Sequence, residues 1–599
     1  MRELTTEQTR RTIGIVGLGT VGEALLGLAA AAGHRVIGVD RDPAVLERVA
    51  RRAAAARAAA DGTADGGPAG TVLVTGRAVS FGTDPAELAA ADLVVEAVPD
   101  HRKTKIEVLR MLDRVCAPGT PLVTTGSATA VSYLAIAAGR PGHTVELRCF
   151  LPPGGAGGVT LTGTATTAPE CLAAVRTLVQ ELGLTEAAIG ARTGDAATAL
   201  VYGYLNRAVD LYEQGYARAG DIDAAMRLGC GLPYGPLELL DRIGLDTAHE
   251  VLTGLHQSVG AASFAPAPLL TRMVEAGLLG RKTESGFHTY DGLGARIDRA
   301  AADGAGAPCE LRRVGVLGSG AMARGIAEVV AGAGYSTVLV ARSREKAEAA
   351  LAAVGDSLQR GVRRGRIAAE AKTATLGRLT GTEDLAALAG CDLVVEAVAE
   401  DLAVKQELFA RLDGICRPDA VLATTTSSLS VADCARATTR PGRVLGLHFF
   451  NPAPVMRLVE VVRTERTDEA VLALGRAFCA RLGKTGVDCP DRAGFIVNYL
   501  LFPYLGSAVR MLDRPDIGVE ELDDAVTRGF GHPMGPFALL DAVGLDVSLA
   551  ILRQLHEAFQ TPEFAPAPLL EQLVRLGHLG RKTGLGFRAV PRHSAVLAG

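Results

Sequence analysis

TIGIVGLGTVGEALL (residues 12–26) and, three hundred residues further on, VGVLGSGAMARGIAEVV (residues 314–330) each lead an apolar, β-branched run into a glycine turn and then into helix-forming sequence. In the first stretch Gly17, Gly19 and Gly22 stand at the spacing G-x-G-x-x-G. Glycine permits the tight turn and the close backbone approach to a pyrophosphate, which then rests on the free N–H groups of the following helix. A second apolar run, 35–39, ends in Asp40, an acid placed to accept both ribose hydroxyls of NAD. The later stretch carries Gly318, Gly320 and Ala323, alanine being allowed at the third position. Its next strand ends in Arg342, Ser343 and Arg344, with no acid. Loss of the carboxylate removes repulsion against a 2′-phosphate, and guanidinium groups bind phosphate bidentately. The expectation is two Rossmann-type sites, for NAD in the first copy and for NADP(H) ahead of NAD(H) in the second. Solvated arginines in an arginine-rich chain are the alternative.

Away from the glycine turns the chain is also written twice. DLVVEAV begins at Asp92 and Asp392, APAPLL at Ala265 and Ala565, and GRKT at Gly280 and Gly580. Each half alternates short apolar runs with helical patterns, then turns wholly helical, which implies a parallel sheet with crossover helices followed by a helical domain. The expected class is α/β plus all-α, duplicated. The expected domains are a degenerate Rossmann-type NAD-binding domain at 11–192 and a helical domain at 193–292. A Gly/Ala-rich linker follows at 293–310, then an active Rossmann-type NAD(P)-binding domain at 311–489 and a second helical domain at 490–590. Only eight of the 62 basic residues are lysines, yet Lys105 pairs with Lys405 and Lys282 with Lys582 at the repeat distance. Those positions are expected to require a compact ammonium.

The 599 residues are 48% hydrophobic and 21% charged, an ordinary globular composition, and the net charge of −4 excludes the basic footprint of a nucleic-acid binder. Ten scattered cysteines without a C-x-x-C pair indicate free thiols in a reducing cytoplasm and no metal site. The apolar stretch at 13–33 imitates a signal peptide, but it contains Glu23 and six glycines and recurs at 314–334. No targeting or membrane segment is expected.

Chemistry-bearing motifs crowd into the second half: TTTSSLS at 424–430, GLHFFNPAPVMRLVEVV at 446–462, and GFIVNYLLFPYL at the start of its helical part. With these residues the chain resembles the L-3-hydroxyacyl-CoA dehydrogenase family over nearly its whole length, in both halves. Oxidising a secondary alcohol by hydride transfer requires a base for the hydroxyl proton, and imidazole titrates in the right range. The resemblance implies that His448 is that base and that Glu460 holds its tautomer. It also implies that Ser427 bonds the reacting oxygen, that Asn498 binds the thioester carbonyl and that Asn451 lines the site. Glu400, Lys405 and Lys582 are implied to meet the nicotinamide nucleotide, and Ser357 and Arg364 the coenzyme A. Arg360, Arg363 and Arg366 stand near enough in sequence to meet its phosphates. Thr425 departs from the family, which usually has Asn there.

Shifting by three hundred replaces His448 with Arg148, Asn451 with Leu151, Glu460 with Thr160 and Asn498 with Thr198, while Ser427 maps to Ser127. An arginine is no base near neutral pH, so the first copy is expected to be inert in this chemistry. The coenzyme A hairpin becomes a loop-like Ala/Gly tract at 50–70. The expected activity is reversible hydride transfer between NAD(P)(H) and C3 of a short-chain 3-hydroxyacyl-CoA or 3-oxoacyl-CoA, with acetoacetyl-CoA as one example, at one site. Two rivals remain: a dehydrogenase of a related hydroxyacid or carrier-bound thioester, and a non-catalytic nucleotide-binding scaffold. The family's dimeric build implies an intrachain pseudo-dimer, with further homo-dimerisation open, no nucleic acid or membrane partner, and a cytoplasmic location.

Overall fold

Strands form where the chain runs apolar and β-branched on both faces, as a sheet covered on two sides requires. The computed structural model describes residues 11–58, 79–126, 129–155, 157–292, 294–297 and 311–588. In the first copy the strands are β1 (Thr12–Val16), β2 (Arg35–Val39), β3 (Val79–Gly82), β4 (Leu93–Glu96), β5 (Leu122–Thr125), β6 (Thr144–Cys149) and β7 (Val159–Thr162). They pair in the order β3-β2-β1-β4-β5-β6-β7. In the second copy β8 (Arg313–Leu317), β9 (Ser336–Val340), β10 (Leu379–Thr382), β11 (Leu393–Glu396), β12 (Val421–Thr424), β13 (Val444–Phe449), β14 (Leu458–Arg463) and β15 (Thr485–Pro490) pair as β10-β9-β8-β11-β12-β13-β14-β15. Both sheets are parallel except at β6–β7 and β13–β14. Strand order reverses between β1 and β4, and again between β8 and β11, which places the glycine turns at the switch point where such sheets bind ligands.

The core of the second sheet joins Val314 and Val316 of β8 to Val395, Ala423 and Leu445, with Ile326 and Val330 of helix Ala321–Gly332 packed over them. Ile13, Ile15, Val95, Val123 and Val145 form the equivalent core in the first. Helix Arg344–Arg363 and helix Ala369–Gly377 form the hairpin expected of SLQRGVRRGRI. Its counterpart begins as helix Pro43–Ala58, and the remainder of the tract read as a loop lies outside the described residues, as do Ser127 and most of the 293–310 linker. Long-period sequence after each sheet is helical, starting with Ala191–Glu213 and Val497–Met511. Among the described residues no helix is long and apolar enough to cross a membrane, and no cluster of three or more His, Cys, Asp or Glu is placed to hold a metal.

The two compact units cut across the sequence halves. One comprises 1–206, 237–297 and 511–539, and the other 207–236, 298–510 and 540–599. Each unit therefore contains a helical segment from the opposite half. In the first, the Gly158 N–H donates to the Arg528 carbonyl at 2.7 Å, and Phe150 and Phe530 meet edge to face at 5.5 Å. In the second, helix Ala219–Cys230 packs on β14 and β15, and Arg207 pairs with Glu563 at 2.7 Å while lying over the Phe564 ring.

On that helix, burial together with nearby Asp488 pushes the Asp221 carboxyl up to about 6, against the opposing pull of Arg218 and Arg476. A carboxyl raised in the folded state binds its proton more tightly there than in the unfolded chain. Its contribution is therefore lost as pH rises through about 6. Asp221→Asn is expected to raise Tm by roughly 2–4 °C at pH 8, with the difference shrinking toward pH 5. Parallel wild-type and variant Tm curves across that range would contradict the assignment.

Candidate functional site

The site is built on the antiparallel pair β13–β14. Their register sets His448 directly opposite Glu460, and directly opposed residues on one face hold their side chains within contact. The imidazole Nδ1 lies 2.6 Å from Glu460 Oε2. The other carboxylate oxygen, Oε1, accepts the N–H groups of Ile496 and Val497 at 3.0 Å each. Glu460 is fully buried and His448 nearly so, between the rings of Phe450 at 4.6 Å and Phe495 at 5.5 Å. Both carboxylate oxygens are thus engaged, and the charge meets imidazole and backbone dipoles instead of water. With Nδ1–H donated to Glu460, Nε2 is left as the acceptor.

Ser427 follows β12, and its carbonyl accepts the Asn498 side-chain amide at 3.2 Å, which joins the two residues implied to face the substrate; Asn498 directly follows Val497, whose N–H holds Glu460. The turn carrying Ser427 is fastened by Glu400, whose Oε1 accepts from Thr426 Oγ1 (2.6 Å), the Ser427 N–H (2.8 Å) and the Ser428 N–H (3.3 Å). Burial raises the Glu400 carboxyl, but Lys405 and the Thr426 and Ser427 hydrogen bonds outweigh it and hold the group below its ordinary range. Asn451 is exposed on the loop between β13 and β14.

Lys484, which the sequence reading passed over, reaches that loop. Its buried ammonium donates to the carbonyls of Ala453 and Met456, both at 2.6 Å, and burial lowers its pKa. The signal was present: lysine is scarce in this chain, and the equivalent first-copy residue is Leu184.

The matched lysines are each paired with an acid. Lys405 is fully buried. It is sealed against Glu396 at 2.8 and 2.9 Å and reaches Glu400 at 3.5 Å, so any influence on a ligand passes through Glu400. Thr424 completes this knot by donating to Glu396 at 2.7 Å. Lys105, Glu96 and Thr124 repeat it in the first copy. Lys582 likewise pairs with Asp546 at 2.8 Å within the helical part, as Lys282 pairs with Asp246. Lys405→Met leaves Glu396 buried without its counter-charge, so a loss of about 3–5 kcal/mol is expected in denaturant unfolding. A wild-type midpoint would contradict the structural role.

The glycine turns have the form that a dinucleotide needs. Gly17 has φ +87°, and a Cβ there would strike the Ala97 carbonyl at 2.7 Å, while one on Gly22 would strike Gly17 O. Gly318 has φ +127°, and a Cβ there would meet Ala397 O. A Cβ on Gly19 or Gly320 meets nothing within 4 Å, which leaves the ligand side of each turn open. These residues fit a bound dinucleotide. At the end of β2, Asp40 accepts the N–H groups of Leu18 and Asp42. At the end of β9, Ser343 caps the next helix through the Lys346 N–H, Arg344 pairs with Glu348 at 3.1 Å, and Arg342 is exposed. Ser357 lies on the hairpin against Glu328, and Arg364 is exposed at its turn together with Arg363 and Arg366.

In the first copy the same register places Arg148 opposite Thr160. The guanidinium turns to Asp195 at 2.7 Å and Thr198 at 3.2 Å and lies over the Phe150 ring. Neither residue of this pair can serve as a base.

Comparison with known proteins finds the model described as "3-hydroxyacyl-CoA dehydrogenase, NAD binding domain" at residues 12–191 and again at 313–492. The "3-hydroxyacyl-CoA dehydrogenase, C-terminal domain" matches 194–290 and 494–590. A 3-hydroxybutyryl-CoA dehydrogenase of Mycobacterium tuberculosis is 49% identical over 283 residues, covering 46% of this chain and 98% of the relative. A mitochondrial hydroxyacyl-coenzyme A dehydrogenase of Rattus norvegicus is 43% identical over 284 residues, covering 46% and 90%. Among solved structures, (S)-3-hydroxybutyryl-CoA dehydrogenase PaaH1 from Ralstonia eutropha is 35% identical, covering 47% of this chain and 100% of that one, with a TM-score of 0.46.

Proposed function

The chain belongs to the 3-hydroxyacyl-CoA dehydrogenase family in duplicated form, and from that premise we propose that it interconverts a short-chain 3-hydroxyacyl-CoA and its 3-oxo counterpart at one site, in the second copy. The observation that carries this reading is the 2.6 Å contact between His448 Nδ1 and the buried Glu460. In the oxidative direction His448 Nε2 takes the hydroxyl proton, and Glu460 stabilises the imidazolium that forms. The Ser427 hydroxyl bonds the reacting oxygen, and Asn498, fixed against the Ser427 carbonyl, is set for the thioester carbonyl. Asn451 lines the mouth of the site, and the Ser357–Arg364 hairpin faces the coenzyme A, with Arg360, Arg363 and Arg366 available to its phosphates. Gly318 and Gly320, together with Glu400, would hold a nicotinamide dinucleotide, which would supply or accept the hydride.

In the second copy NADP(H) is favoured over NAD(H). Support comes from the missing acid after β9 and from exposed Arg342, since Ser343 is engaged as a helix cap and Arg344 is paired with Glu348. Asp40 favours NAD in the first copy, where Arg148 precludes turnover. The exchanged helical segments support an intrachain pseudo-dimer in place of the family's two-chain dimer. A cytoplasmic location fits the unpaired thiols described here.

The test is absorbance at the nicotinamide band with acetoacetyl-CoA and either NADPH or NADH, alongside free-acid and carrier-protein substrates. Faster turnover with NADPH is expected, and Arg342→Asp should reverse the preference by about 10–100-fold, the range of one charge-assisted phosphate contact. Equal rates with NADH would remove the basis for the NADP(H) reading. No turnover of any CoA thioester would remove the basis for the reaction.

A further inference from the structure

The Glu460 clamp depends on chain from the other copy. The N–H groups that hold Glu460 Oε1 belong to Ile496 and Val497, at the end of the turn leading from β15 into helix Val497–Met511. First-copy residues brace that turn. The Tyr216 hydroxyl donates to the Pro490 carbonyl at 2.8 Å. Gln214 Oε1 accepts from Arg492 Nη1 at 3.0 Å, and the Arg492 guanidinium lies over the Tyr216 ring at 4.6 Å and the Tyr499 ring at 3.8 Å.

A few residues on, helix Ala219–Cys230 closes the back of the site. At Gly229 an added Cβ would come within 2.9 Å of Leu458 Cδ2 and 3.1 Å of Val497 Cγ2. The helix therefore lies directly against the strand that carries Glu460 and the residue that clamps it. Burial pushes up the pKa values of the neighbouring Cys230 and Tyr216 and of Cys489 on β15, and the nearby Glu460 charge adds to each. Asp488 and Asp491 lie beyond Cys489, and Arg492 beyond Tyr216. No cation among these groups takes over the clamp, so the orientation of Glu460 rests on the two backbone N–H groups and on what holds them.

We propose that Tyr216 and Gly229 of the inert copy are positioning residues for the active copy's proton transfer, acting through the 489–497 turn on Glu460 and so on His448. The proposal rests on the His448–Glu460 reading above and adds a role for the other half of the chain. Tyr216→Phe retains the ring over Arg492 and removes the hydroxyl's hydrogen bonds with the Pro490 carbonyl and the Cys489 thiol, both at the root of the turn. Gly229→Val drives a side chain against Leu458 and Val497. A loosened turn lets Glu460 rotate from the imidazole, which leaves the cation less stabilised.

The experiment measures kcat, KM and the pH profile of kcat in the oxidative direction for both full-length variants, with His448→Gln alongside and melting curves for all. Tyr216→Phe is expected to lower kcat about tenfold, with KM for the acyl-CoA nearly unchanged and the imidazole limb moved to lower pH. Gly229→Val should do the same more strongly. Should Gly229→Val fail to fold, Tyr216→Phe alone decides. Inactive His448→Gln together with a wild-type kcat and pH profile in Tyr216→Phe overturns this proposal and leaves the mechanism standing. Active His448→Gln overturns the mechanism itself, and the proposal with it.

Discussion

His448→Gln is expected to lower kcat by about 10²–10⁴-fold while leaving dinucleotide affinity near wild type, because the change removes a proton acceptor and little else. Glutamine preserves a hydrogen-bonding partner for Glu460, so the carboxylate is not left bare in an apolar cavity. What disappears is Nε2, the atom with a lone pair free to take the hydroxyl proton. The glycine turn lies on a different loop and keeps its shape. The loss should therefore appear in kcat and kcat/KM alike, as expected when an interaction made only in the transition state is removed. Steady-state rates with acetoacetyl-CoA, combined with fluorescence titration of the reduced dinucleotide, separate the two effects. A variant that keeps more than about a tenth of wild-type kcat would place the proton acceptor elsewhere.

The second large effect concerns the first half of the chain. Residues 301–599 expressed alone should be insoluble, or soluble with kcat reduced by more than about 10²-fold, a loss of the size expected when a reacting group is misplaced by about 1 Å. The fragment lacks residues 207–236, which belong to its compact unit. Ile222, Ala225 and Met226 of that segment are fully buried in the intact chain, and each large apolar side chain contributes about 1.5–3 kcal/mol when covered. Its own 511–539 segment loses its host at the same time. Supplying residues 1–300 as a separate chain should restore part of the activity. A soluble, fully active fragment would sink the scaffold role of the first half.

The sheets, the glycine turns and the His448–Glu460 pairing were legible because each rests on a local pattern. Continuous apolar runs mark strands covered on both faces, the glycine spacing marks the turn, and twelve residues joined by a short return bring two side chains opposite each other. The replacement of that pair in the first copy was legible for the same reason, since Arg148 and Thr160 occupy that register. The fate of the lysines was not. Scarcity singled out Lys105 and Lys405, but that their ammonium groups meet the buried Glu96 and Glu396 depends on strands far apart in sequence. The exchange of helical segments was equally hidden. Nothing local to Tyr216 points to Pro490, 274 residues away.

That separation has a cost in time. On the ribosome, at about 5–20 residues per second, Tyr216 emerges roughly 15–55 s before the carbonyl it will bond. Throughout that interval the nascent amino-terminal half presents a greasy helix whose seat has not yet been translated. Newly made chains of this protein should therefore engage holdase chaperones at mid-synthesis, and slowing translation should lower the yield of native enzyme.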